Sequence, residues 1–292
     1  MLRGRASIPA EGFHWADRRL STPPGSKKER FLVPTPSTQS PAIYDCFSER
    51  PLFKRFASVH TTEEGILEFA NQFGFLGGFC LKTVLEPDAK ESNRYWDAPG
   101  ERFEDWVKHI GLMKHAVVDL WENIRDGYAA RTAKFIRWEK TIDGNRVHYV
   151  APEIPGWKRS SFLILDQRHD IFSQVRHGDT LRPAWLALLQ IVNVELARHL
   201  CAAQLSDDTT SERFGATFAV YPEGLLGALW LQFARAIADN PEYRRCEDCG
   251  YDFEITGDKR ADARYCSPAC RLRAHRKRVK GNTTKPPRSR RK

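Results

Sequence analysis

The chain lacks any apolar run long enough to cross a bilayer. The two most apolar stretches, residues 183–196 and 225–237, are broken by Gln190, Asn193 and Glu195 and by Gln232 and Arg235. Both fall short of the roughly 20 uninterrupted apolar residues a membrane span requires. The N-terminus has no signal-peptide core, and Glu11 and Asp17 argue against a transit peptide. Cysteine is scarce, with seven among 292 residues. Three of them, Cys46, Cys80 and Cys201, are scattered and odd in number, which suits buried thiols in a reducing cytoplasm better than a disulfide framework. There is no internal repeat.

Common catalytic signatures are missing too. Residues 73–78, "FGFLGG", have too few glycines in the wrong order for a phosphate loop and read as a turn after a helix. His115 and Asp119 are four apart on one expected helix, and Glu195 and His199 are four apart on another, so each pair shares a face. Neither of these two helices carries His-Glu-x-x-His or Glu-x-x-His. The pairs therefore read as surface ion pairs or a satisfied core histidine. "DQRHD" at residues 166–170 has no metal-binding neighbours to make it a nuclease motif. No catalytic residue is assigned.

Acidic residues are absent from one long segment, and that absence is informative. From Ala263 to Lys292 there are 12 lysines and arginines and no aspartate or glutamate. Residues 1–240 carry 30 basic and 30 acidic side chains, so the whole net charge of +9 belongs to residues 241–292. Charge concentrated in this way marks an interaction surface, with nucleic acid the commonest partner.

Along the chain, residues 1–42 are rich in proline, serine and threonine ("STPPGSKKER", "PTPSTQSP") and read as poorly ordered. Residues 43–240 read as a mainly helical body. One helix opens near a Thr61–Glu64 capping box and carries Ile66, Leu67, Phe69, Ala70 and Phe73 at helical intervals. A second is expected over 101–128, a third over 182–204 and a fourth over 223–238. Asp143-Gly144 between two β-prone runs predicts a hairpin. Asn240-Pro241 marks the end of the body. The fold class is α+β.

The other four cysteines lie within 25 positions as Cys246-x2-Cys249, sixteen residues, then Cys266-x3-Cys270. Two such pairs joined by a loop can supply the four tetrahedral corners that zinc requires. Gly250 permits a tight turn after the first pair. Ser267 can cap a helix whose first residue is Pro268, which places Cys270 in the first turn, where the positive helix end favours thiolate. Redox-active cysteines or an iron–sulfur cluster are the alternatives, and the paired spacing with the Ser-Pro helix start favours structural zinc, one ion per chain. Four cysteines close the shell, so the metal has no catalytic position. His275, five residues beyond Cys270, reads as a helix-surface residue. With a short hairpin around 251–255, the arrangement is a treble-clef zinc finger spanning 241–280, followed by a disordered basic tail, 281–292.

Arg271, Arg273, Arg276, Lys277, Arg278 and Lys280 crowd the helix after the cluster, and Leu272 and Val279 form a seven-spaced apolar line expected to rest on the metal core. These six cations are the candidate nucleic-acid contacts. The segment "RRCEDCGYDF…ARYCSPACRLRAHRKR" resembles the C-terminal treble-clef fingers of many bacterial proteins, and is similar to the CGNR-type fingers of transcription regulators. The Cys-Gly-Asn-Arg tetrapeptide itself is absent, Arg271-Leu272-Arg273 following Cys270, and the second pair has three intervening residues where that family has four. The resemblance covers about residues 241–280. It implies zinc ligation by Cys246, Cys249, Cys266 and Cys270 and says nothing about the body. The expected function is a zinc-finger nucleic-acid-binding protein, a DNA-binding regulator with DNA ahead of RNA, whose body senses a ligand, dimerises or recruits a protein partner. The alternatives are a protein- or RNA-binding adaptor, such as an antitoxin or defence component, and an enzyme with a site in the body. No membrane association is expected.

Overall fold

The computed structural model describes residues 5–19, 28–48, 51–77, 100–142, 144–157, 161–166, 168–169, 172, 175–199, 202–207, 216–222, 224–255 and 262–283. The chain divides into two compact units, Met1–Ile237 and Ala238–Lys292. Cys80, Cys201, Asp143 and residues 284–292 of the basic tail lie outside the described residues.

The first unit is mixed helix and sheet, where the sequence suggested a mainly helical body. Strands β1 (Arg5–Ile8) and β4 (Ala42–Asp45) pair antiparallel, and β2 (Phe13–Arg19), β3 (Lys28–Pro34) and β5 (Glu101–Arg102) form a three-stranded sheet in that order. These strands correct the reading of residues 1–42 as poorly ordered. Their order comes from distant partners that no local period reveals. The backbone N–H of Phe13 donates to Asn71 Oδ1 at 2.7 Å, Trp15 Nε1 donates to the Glu63 carbonyl at 3.0 Å, and Arg30 pairs with Glu63 at 2.9 Å. Leu32 and Val33 are buried.

Helices α1 (Leu52–Ala57) and α2 (Glu63–Phe73) follow. The cap of α2 is Thr62, not Thr61: its hydroxyl accepts from the Gly65 N–H at 3.2 Å. Ile66, Phe69, Ala70 and Phe73 are buried along one stripe, each large side chain worth about 1.5–3 kcal/mol of burial. Gly74, at φ 89°, ends the helix.

Helix α3 begins at Phe103–Lys114, continues as a π-helical stretch, His115–Glu122, and closes with Asn123–Arg125. Its buried Trp106 meets Phe56 and Phe69, each at 6.2 Å between ring centroids, and Trp121 meets Phe53 at 6.1 Å and Phe233 at 5.5 Å. A short turn of helix, α4 (Ala129–Thr132), and a 3-10 turn, Ala133–Phe135, lead into the sheet β6 (Ile136–Thr141), β7 (Gly144–Tyr149) and β8 (Phe162–Leu165). The hairpin expected at residues 143–144 joins β6 to β7.

Helix α5 (Leu181–Arg198) stops short of the expected 204, because residues 202–207 form strand β9 (Ala202–Asp207), paired with β10 (Ala216–Tyr221). Helix α6 (Gly224–Asp239) buries Leu225, Leu226, Leu229, Trp230 and Phe233. Its buried Gln232 accepts from the Leu52 N–H at 3.1 Å and donates to the Cys46 carbonyl at 2.7 Å, so a core amide joins α6 to the start of α1.

Leu76 and Gly77 of "FGFLGG" meet the start of α6 backbone to backbone, and Gly78 lies outside the described residues. Gly77 has φ 79° and Gly224 has φ 73°, and a Cβ on Gly77 would stand 2.8 Å from the Gly224 Cα. Leu226 donates its N–H to the Leu76 carbonyl at 2.7 Å, and the Glu101 carboxylate accepts the N–H groups of Leu76 and Gly77 at 3.1 and 2.8 Å. Gly77→Ala combines left-handed strain with a backbone collision. It should lower stability by at least about 1–3 kcal/mol, read as an earlier urea midpoint with an unchanged slope.

Candidate metal centre

In the second unit β11 (Tyr243–Arg245) pairs with β12 (Asp252–Glu254), and the turn between them carries Cys246 and Cys249. The Cys246 N–H donates to the Tyr251 carbonyl at 2.9 Å, and the Gly250 N–H to the Cys246 carbonyl at 3.0 Å. Gly250 takes φ 73°, which a glycine adopts without strain. Helix α7 (Pro268–Thr283) starts after Ser267, whose hydroxyl accepts the Cys270 N–H at 3.2 Å. The cap brings Cys266 and Cys270 to the positive helix end, facing the first pair.

All four sulfurs lie within 4.8 Å of one another. Cys249 and Cys266 are 3.7 Å apart and Cys266 and Cys270 are 3.4 Å apart. A tetrahedral shell with Zn–S bonds of about 2.3 Å has edges of about 3.8 Å, so the sulfurs are positioned to coordinate one metal ion. None of the four is in a disulfide. The Cys266 N–H points at the Cys246 sulfur at 3.4 Å, and an Arg273 N–H points at the Cys270 sulfur at 2.9 Å, contacts that stabilise thiolate. Burial works against the Cys246 thiolate, but backbone N–H groups of Cys249, Cys266 and Asp248 outweigh it and draw this thiol down to about 6. Burial and its sulfur neighbours push the Cys266 thiol up to about 12. The sulfurs thus resist sharing negative charge among themselves, a conflict a divalent cation relieves. The unit's core is small: Cys246, Phe253 and Cys270 are buried, with Cys249, Ile255, Ala263, Tyr265 and Cys266 packed around them.

The basic helix is not uniformly free. The Asp248 side chain, 2 % exposed, receives Arg273 at 2.8 Å and Lys277 at 2.9 Å. Residues 270, 273, 274 and 277 thus form the face of α7 turned to the first cysteine turn. That corrects the expected apolar line: Leu272 and Val279 are about half exposed, because ion pairs and Cys270 occupy the inner face. Arg278 donates to the Tyr265 hydroxyl, and Glu247 pairs with Arg264. Arg271 and Arg276 are exposed and have no ion-pair partner among the described residues. The Lys280 side chain lies outside the described residues. His275 is exposed on α7 and is not in the cluster.

Comparisons with protein-family models, with curated proteins and with solved structures found no match for the chain. No helix among the described residues is long and apolar enough to cross a membrane.

In the first unit, each His–acid pair has one buried member, His115 and Glu195, and one partly exposed, where surface ion pairs were one expectation. His115, 2 % exposed, bonds Asp119 through Nδ1 at 3.0 Å and the Tyr149 hydroxyl through Nε2 at 2.5 Å. It is a satisfied core histidine. Asp166 accepts from Arg168 at 2.5 Å and lies 3.0 Å from His169 Nδ1, a local turn; Gln167 and Asp170 lie outside the described residues. Glu195 and His199 share a face of α5, and α3 brings His109 to them: one ligand atom of each lies within 4.8 Å of the others. His109 was missed because nothing in its own stretch marks it. Only the packing of α3 against α5 does.

Proposed function

We propose that residues 238–292 are a zinc finger of treble-clef type, with Cys246, Cys249, Cys266 and Cys270 holding one structural Zn2+, and that this finger binds nucleic acid, DNA ahead of RNA. The protein on this reading is a DNA-binding regulator, and the first unit is its sensing, dimerising or partner-recruiting part. The observation that carries the reading is the charge partition. Residues 1–240 are balanced, the full +9 falls on residues 241–292 around the cysteines, and no acidic residue follows Ala263. Inside the finger, Arg273 and Lys277 brace the cysteine turn through Asp248, which leaves Arg271 and Arg276 facing outward for phosphate.

Fluorescence anisotropy of the intact protein with labelled duplex DNA and single-stranded RNA, at several salt concentrations, tests this. The expected result is tighter binding to the duplex, with log K falling linearly with log salt at a slope near 0.9 per phosphate neutralised. Tighter binding to RNA would turn the reading to the RNA adaptor. No binding to either at low salt would leave the finger a protein-binding module.

A further inference from the structure

We propose that His109, Glu195 and His199 form a second metal site, in the first unit, which takes a divalent first-row transition ion in an open coordination shell. The proposal is independent of the finger and of nucleic acid.

Three donors from two helices converge there. On α5, the His199 N–H closes the last turn onto the Glu195 carbonyl at 3.0 Å, which keeps both side chains on one face. Glu195 is 3 % exposed and His199 15 %. Their Oε2 and Nε2 atoms are 3.4 Å apart, the separation of two ligands on a tetrahedral ion with bonds of about 2.1 Å. From α3, the His109 ring stands 5.8 Å from that of His199 between centroids. Gly227 on α6 makes room: a Cβ there would press to 3.1 Å from the His199 carbonyl oxygen.

The surroundings suit a cation. Arg198 donates to Glu195 Oε1 at 2.6 Å, which anchors the carboxylate and leaves Oε2 to face the imidazoles. His109 Nδ1 is buried with no hydrogen-bond partner among the described residues, and an unmet buried polar atom costs about 1–3 kcal/mol. The set is one carboxylate with two imidazoles. A plain Glu195–His199 ion pair does not involve His109, whose ring the packing of α3 against α5 brings to both.

Two imidazoles and one carboxylate suit zinc or ferrous iron. Three protein ligands leave positions for water or a small anion, so this site, unlike the four-cysteine one, is open to chemistry or sensing. The Arg198 contact is the kind of outer support that holds a ligating carboxylate in place.

Metal content of the full-length protein tests it. After loading with Zn2+, or with Fe2+ under anaerobic conditions, and desalting, the intact chain should carry about two equivalents. His109→Gln and Glu195→Gln should each bring this to about one, with the far-UV spectrum unchanged. Cys266→Ser should also retain one, lost only on combination with His109→Gln. Co2+ separates the two sites: in the intact chain, thiolate charge-transfer bands belong to the cysteines and should survive His109→Gln. The Cys266→Ser chain should bind Co2+ with d–d bands that His199→Gln removes. Should His109→Gln fail to fold, the Co2+ spectrum of Cys266→Ser decides alone, nitrogen and oxygen ligation supporting the site. A Cys266→Ser chain that holds no metal, or second-equivalent binding indifferent to His109 and His199 in folded variants, overturns it. An intact chain that carries one equivalent, unchanged by Cys266→Ser and lost with His109→Gln, would count against the finger and leave this site standing.

Discussion

Serine at position 266 should release the metal from the second unit and unfold it, while the first unit keeps its helices. Cys266 lies 3.7 Å from Cys249 and 3.4 Å from Cys270, sulfur to sulfur, and its N–H points at the sulfur of Cys246. The apolar core around it is too small to compensate. Among the described residues Phe253 is its one large buried side chain apart from the cysteines, and burying it supplies about 1.5–3 kcal/mol. Zinc in small four-ligand domains supplies about 10–16 kcal/mol at neutral pH. Losing one thiolate therefore removes the larger part of what folds the unit. Limited proteolysis with metal analysis reads the result. Cleavage should become rapid within residues 241–283, the rest should resist as before, and the Cys266-dependent equivalent of zinc should vanish. A variant that keeps its zinc and its resistance would mean that the cysteines are not the ligands. Purified wild-type protein with an iron–sulfur absorption band would mean that the metal is wrong.

The cysteine centre was legible in the sequence because all its determinants are local. Four cysteines, a glycine turn and a Ser-Pro helix start lie within 25 residues, and that local geometry is enough to bring the sulfurs within 4.8 Å of one another. The β6–β7 hairpin was legible for the same reason, since Asp143-Gly144 acts on its immediate neighbours. Strands β2 and β3 were not. Their residues show no period of their own and become ordered through Asn71, Glu63 and β5, all far along the chain. Helical periodicity found the stripe of α2 but overran α5, because apolar residues continue into β9 and their spacing alone does not say where a helix stops. The same limit hid the histidine–glutamate cluster. Glu195 and His199 were visible as a pair on one face, but their third member is supplied by another helix. On α7 the error ran the other way. Leu272 and Val279 looked inward by their apolar character, yet Asp248 draws Arg273 and Lys277 to the inner face and rotates the leucine and valine outward.

That rotation divides the basic residues into two kinds, and the last expected result depends on the division. Removing residues 241–292 should abolish nucleic-acid binding and leave a near-neutral first unit, since all surplus charge goes with them. Within the finger, Arg271→Ala and Arg276→Ala should weaken binding without touching the metal. They are five residues apart, so their side chains leave α7 about 140° from each other. Both cannot read bases in one groove. One or both must therefore meet phosphate, each lost phosphate contact lowering the salt slope by about 1. Arg271 is nearer the helix start and is the better placed for a base edge, where its loss should cost about 1–3 kcal/mol on a preferred duplex and less on a random one. Arg273→Ala and Lys277→Ala should behave differently. They release Asp248, and Arg273 also gives up its contact with the Cys270 sulfur, so their first effect is weaker metal retention against a chelator. Titrations of each variant on specific and random duplexes, run beside chelator-release kinetics, separate the two kinds. If a truncated chain ending at residue 240 binds DNA as tightly as the whole protein, the finger is not the reader. If Arg271 and Arg276 loosen the metal while Arg273 and Lys277 set the salt slope, Asp248 does not brace the helix in solution.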